Sequence, residues 1–388
     1  MIKQFFDKIR PNFEEGGKLH AFRSVFEGME TFMLVPNTTS KVGVSIHDAI
    51  DSKRIMSFVV IALIPALLFG MYNIGYQNAA AAGKLAETGF WSMFLYGFLL
   101  VLPKIVVSYV VGLGIEFAVA QWKKEEIQEG YLVSGILIPL IVPVNCPLWM
   151  LALAVAFSVI ICKEIFGGTG MNIFNPALIA RAFLFFSYPT SMSGDKVWVA
   201  GKEVIGLGYN LPDAATMATP LGEVGAGLQP TASLSDMIVG LIPGSIGETS
   251  VIAIAIGALI LLYTQIASIR TMTSVFVGGV LVAVLFNMAG MEGNAVANMP
   301  WYEHIVTGGF CFGAVFMATD PVTSSRTEKG QYVYGFLIGA LAILIRVLNP
   351  GYPEGMMLAI LFMNMFAPLI DYCVIQRNIN KRMKRVQK

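Results

Sequence analysis

Apolar residues in this chain come in long runs, not in strand-like alternation. The runs fall roughly at 55–73, 91–121, 131–144, 148–166, 174–188, 251–267, 273–290, 304–319, 332–348 and 355–373. A straight bilayer crossing takes about 20 apolar residues. The pattern therefore predicts about ten transmembrane helices, half on each side of a polar interval from Tyr188 to Ser250. The second run is long and carries Pro103-Lys104, which fits either one kinked helix or two pieces. The third and fifth runs are short and carry Pro139, Pro143 and Pro176. Short, Pro-broken runs suggest discontinuous helices that line a site. The fifth opens on Phe174-Asn175-Pro176-Ala177 and the tenth follows Leu348-Asn349-Pro350-Gly351. An even split of the runs sets these two antiparallel, a faint sign of an inverted repeat. The expected organisation is an N-terminal segment (1–54), a first membrane repeat (55–188), a polar loop (189–250), a second repeat (251–374) and a basic tail (375–388).

Composition sharpens the class. The chain is 56% hydrophobic and 13% charged, with 388 residues, whereas soluble globular proteins carry about 25% charged residues. This excludes a soluble binding module and points to an all-α polytopic membrane protein. Lys and Arg set its orientation. The tail after Asp371 holds Arg377, Lys381, Arg382, Lys384, Arg385 and Lys388 and no acid, so it belongs in the cytoplasm. Ten crossings put the N-terminus there too, and Lys123-Lys124, Lys163, Arg270, Arg326 and Lys329 then fall at cytoplasmic ends. The 189–250 interval has only Lys196 and Lys202 as basic residues and goes outside.

The remaining composition removes other classes. No basic patch suits nucleic acid. The polar first 50 residues lack the apolar core of a cleavable signal, and Ala21 to Leu34 has the pattern of an amphipathic helix for the membrane surface or a partner. Cys146, Cys162, Cys311 and Cys373 form no CxxC pair and the three histidines are scattered, so no tightly bound metal is expected.

The polar interval contains Asp213-Ala214-Ala215-Thr216-Met217-Ala218-Thr219-Pro220-Leu221-Gly222. By itself this is a loop of Thr, Ala and Pro. Its pattern, however, resembles the flavinylation motif of the NqrB/RnfD family, the membrane subunits of Na+-translocating NADH:quinone oxidoreductases and of Rnf complexes. Further stretches resemble the same family: Lys163 to Gly170 with Asn172 and Asn175-Pro176-Ala177-Leu178, Arg181 to Phe186, Ile242 to Glu248, Phe316 to Pro321, and Tyr352 to Met357. The likeness runs from Phe13 to the basic tail.

The resemblance implies FMN held as a phosphoester on Thr219, with Thr216 as the upstream hydroxyl and Asp213 opening the motif. Met217 stands where the family usually has Gly. It also implies non-covalent riboflavin near Asn172 and Asn175, a quinone near Gly112 and Leu113, and a Na+ path through Glu27, Glu116 and Asp371. Leu113 replaces the second glycine of the family's pair. The implied protein is one of six subunits, beside partners A, C, D, E and F, in the bacterial inner membrane. NADH would be oxidised on a partner, and electrons would pass through the flavins to quinone, coupled to Na+ export.

The residues themselves support parts of this. No GxGxxG follows a strand, so the usual nucleotide cradle is missing, and a covalent tether holds a polar cofactor without it. Gly167-Gly168-Thr169-Gly170 reads equally as a tight turn or as a set of N–H groups for a polar ring. Glu116, Asp371 and Arg346 are ionisable residues at or inside membrane runs, where a functional role is the default; an ion pair or an interfacial position is the plain alternative. Asp320-Pro321 and Arg326 fit a capped cytoplasmic loop. Gly112 and Gly114 suit close helix packing. Two other readings stay open: an Rnf-type subunit serving ferredoxin and NAD through partners, and a redox-free solute channel, since the inverted repeat resembles urea and ammonium channel architecture.

Overall fold

The computed structural model describes residues 2–13, 17, 22–23, 26, 30, 34, 43–44, 52–123, 130–212, 217–349 and 351–386. A short helix α1 (Ile2–Ile9) precedes two long apolar helices, α2 (Ser52–Ala81) and α3 (Phe90–Lys123). Then come α4 (Tyr131–Leu140), α5 (Leu148–Phe157), α6 (Pro176–Ser187) and, in the polar interval, the short α7 (Pro220–Gly225). The second half holds α8 (Val251–Tyr263), α9 (Ile269–Ala289), α10 (Trp301–Val306), α11 (Glu328–Leu348) and α12 (Met356–Val386). Among the described residues, the only β pairing is one isolated bridge between Val204 and Leu207. Five helices, α2, α3, α9, α11 and α12, are long and apolar enough to cross a membrane.

The second apolar run is one helix: α3 continues through Pro103 without a break. Pro65 and Pro368 likewise lie inside α2 and α12. Neighbouring helices re-satisfy the backbone groups that such prolines free. Helix α2 packs on α3 and α8, and α9 packs on α11. At the α2–α3 crossing a Cβ on Gly97 would overlap the Met71 carbonyl, and one on Gly75 would overlap the Met93 carbonyl. Both backbones therefore approach as only glycine allows.

Two segments are broken, each beside a π-helical turn. The first break follows α4. The chain leaves the helix at Ile141, re-forms α5 at Leu148 and ends in a π-helix over Ser158–Glu164. Gly247 from the polar interval donates its N–H to the Leu140 carbonyl at 2.7 Å. Lys104, buried on α3, donates to the carbonyls of Pro143 (3.0 Å) and Cys146 (2.9 Å). The second break cuts the run read from sequence as 304–319. Helix α10 stops at Val306, Gly308 and Gly309 take positive φ (62° and 67°), and helix resumes at Phe310 before a π-helix over Gly313–Met317. A left-handed glycine pair ends a helix without steric cost. Buried Arg346 on α11 spans this break, donating to His304 O (2.6 Å), Thr307 O (3.2 Å), Gly308 O (3.4 Å) and Glu354 O (3.2 Å).

Amides on α2 and in the first break pin the polar interval to the membrane helices. Asn73 donates to Ile242 O at 2.9 Å, Asn78 to Ala200 O at 2.7 Å, and Asn145 to Lys196 O and Val199 O at 2.8 Å each. At the other end of the chain, α12 continues as one helix beyond position 374, through Val386.

Candidate functional site

Helix α6 organises two cavities. Asn175 is its N-cap: the side-chain oxygen accepts from Ala177 N (3.0 Å) and Leu178 N (3.4 Å), and Pro176 fills the first helical position. Pro there loses no helical hydrogen bond and starts the helix with a fixed φ. The Asn175 amide also donates to Asp320 at 3.2 Å. These residues line a cavity of about 80 Å³ together with Lys163, Thr169 and Asn172. Asn172 is held by a bond to Phe174 O at 2.9 Å. Both asparagines expected to serve one site thus share one cavity wall.

Arg181 and Phe185, further along α6, line a second cavity of about 130 Å³ with Thr219, Glu248, Tyr352 and Glu354. At 1.5 Å per residue, Phe185 lies about 15 Å along α6 from Asn175. Thr219 is the N-cap of α7; its Oγ1 accepts from Gly222 N at 3.1 Å, which orients the hydroxyl at the cavity wall. Met217, two residues earlier, ties the loop down by donating its N–H to Asp195 O at 3.0 Å. The wall opposite is ionic. Buried Arg181 pairs with Glu248 at 2.7 Å and with Glu354, and Ser245 accepts from it at 3.4 Å. Tyr352 donates to Glu354 at 3.0 Å. The direction of α12 relative to α6 follows from these contacts. Arg181 meets Glu354 just before α12 begins, and Asn364 within α12 faces the Asn175 backbone N–H. The two helices run antiparallel, as the placement of Asn175-Pro176 and Asn349-Pro350 suggests.

The other predicted residues divide. Glu116 is buried on α3 and forms an ion pair with Lys163, so it joins the first cavity through that lysine's side chain. Asp371 stands apart from both cavities. It caps the loop before α11, accepting from Ser325 Oγ and Thr327 Oγ1 (2.6 Å each), Arg326 N (2.8 Å) and Thr327 N (2.9 Å). Gly112 takes the Tyr131 ring against its backbone, and the Tyr131 hydroxyl binds Ser108. Its role there is packing. Leu113 is partly buried against the core. Neither lines the two cavities. Asp213, Thr216 and Glu27 lie outside the described residues.

Sequence reasoning gives no role to Arg181, Glu248, Glu354 or Lys104. A signal exists for two of them. Arg181 is a charge inside an apolar run. Lys104, Ser108, Gly112 and Glu116 recur every four residues along one buried face of α3, the spacing that brings helical side chains into line.

The fold and its cavities define a helical membrane protein whose broken helices enclose polar chambers. The chain belongs to the NQR2, RnfD, RnfE family, whose sequence model matches residues 39–380. It is 45% identical over 403 residues to the Na(+)-translocating NADH-quinone reductase subunit NqrB of Chromohalobacter salexigens, covering 99% of this chain and 96% of that protein. It is 44% identical over 411 residues to the protein of the same name from Pseudoalteromonas atlantica, and 42% over 407 residues to that from Neisseria meningitidis, covering 99% of both chains in each case.

Proposed function

We propose that this chain is the NqrB membrane subunit of a Na+-translocating NADH:quinone reductase, with FMN esterified to Thr219 and riboflavin held beside Asn172 and Asn175. The observation that carries this reading is the pairing of both flavin candidates with one helix: Asn175 begins α6 in one cavity, while Arg181 and Phe185 of the same helix share the other cavity with Thr219. The residues suit the groups. Thr219 offers a fixed hydroxyl beside a partly aromatic cavity, and the first cavity carries the amides, hydroxyls and ammonium that a polar ring system needs.

Bound flavins supply single-electron carriage between a partner flavoprotein and quinone. The chain's own part is to tether, orient and insulate them. Helix α6 fixes the spacing of the two cavities, the 242–248 segment closes the first break, and buried Glu116–Lys163 keeps paired charge beside the inner cavity. Gly112, Leu113, Glu27, Glu116 and Asp371 remain the residues assigned to quinone and Na+ by likeness to the family. On this reading the chain crosses the bacterial inner membrane ten times as two inverted repeats, with both termini cytoplasmic and 189–250 periplasmic. It works within a six-subunit complex whose other members (A, C, D, E and F) include the one that oxidises NADH. The packing of α2 on α3 and of α9 on α11 supports two related halves. The relatives favour this reading over an Rnf-type subunit, because all three carry the name of the Na+-translocating reductase.

The test is covalent flavin. Co-expressed with a bacterial flavin transferase, the chain gives a band that fluoresces under ultraviolet light on a denaturing gel. Thr216→Ala keeps the band. Thr219→Ala and Thr219→Asn abolish it, and Asn preserves the helix cap. A dark wild-type band, beside a positive control for the transferase, removes the reading.

A further inference from the structure

Arg181, Glu248 and Glu354 form a cluster of one cation and two anions on the wall of the cavity that Thr219 enters. The Arg181 and Glu248 side chains are each only 7% exposed. The surrounding backbone is shaped to admit them. A Cβ on Gly309 would stand 2.9 Å from the Glu248 carboxyl carbon. Helix α6, the 242–248 segment and the turn before α12 each contribute one charge, so three separate parts of the chain converge here.

A structural pair needs one acid. The second carboxylate leaves the cluster with a net negative charge. Charges held in a low-dielectric site act strongly on any redox group that shares it. A cation lowers the free energy of an added electron, and an anion raises it.

We infer that Arg181, opposed by Glu248 and Glu354, sets the reduction potential of the flavin attached at Thr219. The three act as tuning residues, not as catalytic ones, and the inference rests on the flavin reading of Thr219. Arg181 favours the reduced form and the carboxylates oppose it. The excess carboxylate keeps the outer flavin a weaker electron acceptor than Arg181 alone would make it.

The opposing signs make a test that loss of structure does not mimic. The full chain, co-expressed with a flavin transferase, is titrated spectroelectrochemically, and the difference from Thr219→Ala assigns the covalent flavin. Arg181→Gln shifts its midpoint to more negative potential, and Glu354→Gln and Glu248→Gln shift it to more positive potential. Arg181→Lys stays near the wild-type value. Should Arg181→Gln fail to accumulate, the two glutamate variants decide the sign. Shifts of one common sign, or a midpoint unmoved by all variants, overturn the inference while the fluorescent band still stands. Absence of that band in wild type removes the flavin reading itself, and the inference with it.

Discussion

At position 116 a carboxylate lies inside α3, and Lys163 reaches it from the π-helical turn that follows α5. Neither charge is favourable there alone. Removing one partner of a buried pair costs about 3–5 kcal/mol, because the other charge remains desolvated. Glu116→Gln should therefore lower thermal stability of the purified chain in detergent by that order. Glu116→Gln combined with Lys163→Met should lose less than the two single changes summed. Melting curves for the double-mutant cycle check this; strict additivity would refute a mutual dependence. Asp371 differs at the same scale. Its partners are two hydroxyls and two backbone N–H groups, so its place is explained by the turn that starts α11.

At the scale of elements, a broken helix must find donors for the carbonyls it exposes. Here the two breaks use long basic side chains from neighbouring helices, Lys104 and Arg346. A π-helical turn stands beside each break, and such turns often mark functional sites. An unsatisfied buried acceptor costs about 1–3 kcal/mol, and Arg346 serves four. Arg346→Met should strongly reduce the yield of folded, monodisperse chain. Arg346→Lys, with its single ammonium, should recover part of it. Size-exclusion profiles in detergent read the outcome, and a wild-type profile for Arg346→Met would show that the break is braced elsewhere.

For the whole molecule, orientation is the exposed prediction. Cys373 is solvent-accessible, while Cys146, Cys162 and Cys311 are buried. A membrane-impermeant thiol reagent should label Cys373 only in inside-out vesicles. In a Cys373→Ser background, Lys202→Cys should be labelled only from the opposite face. Labelling of both from one side would refute the assigned topology. The same scale shows how far the sequence can be read. The long apolar runs match helices closely, because a bilayer-length run has few alternatives. The break within 304–319 is hidden, because Gly308-Gly309 is apolar enough to extend a run. The second cavity is half legible: Thr219 comes from a local pattern, but Arg181, Glu248 and Glu354 meet from positions up to 173 residues apart, which no local pattern reveals. Lys104 and Arg346 have one more consequence, beyond holding the breaks together. Bare carbonyls gathered inside a membrane are what a small alkali cation seeks in place of its water. By sitting on them, two cations that are tethered to the chain keep free ones from lodging there. The breaks can then bend the path through the protein without becoming traps along it.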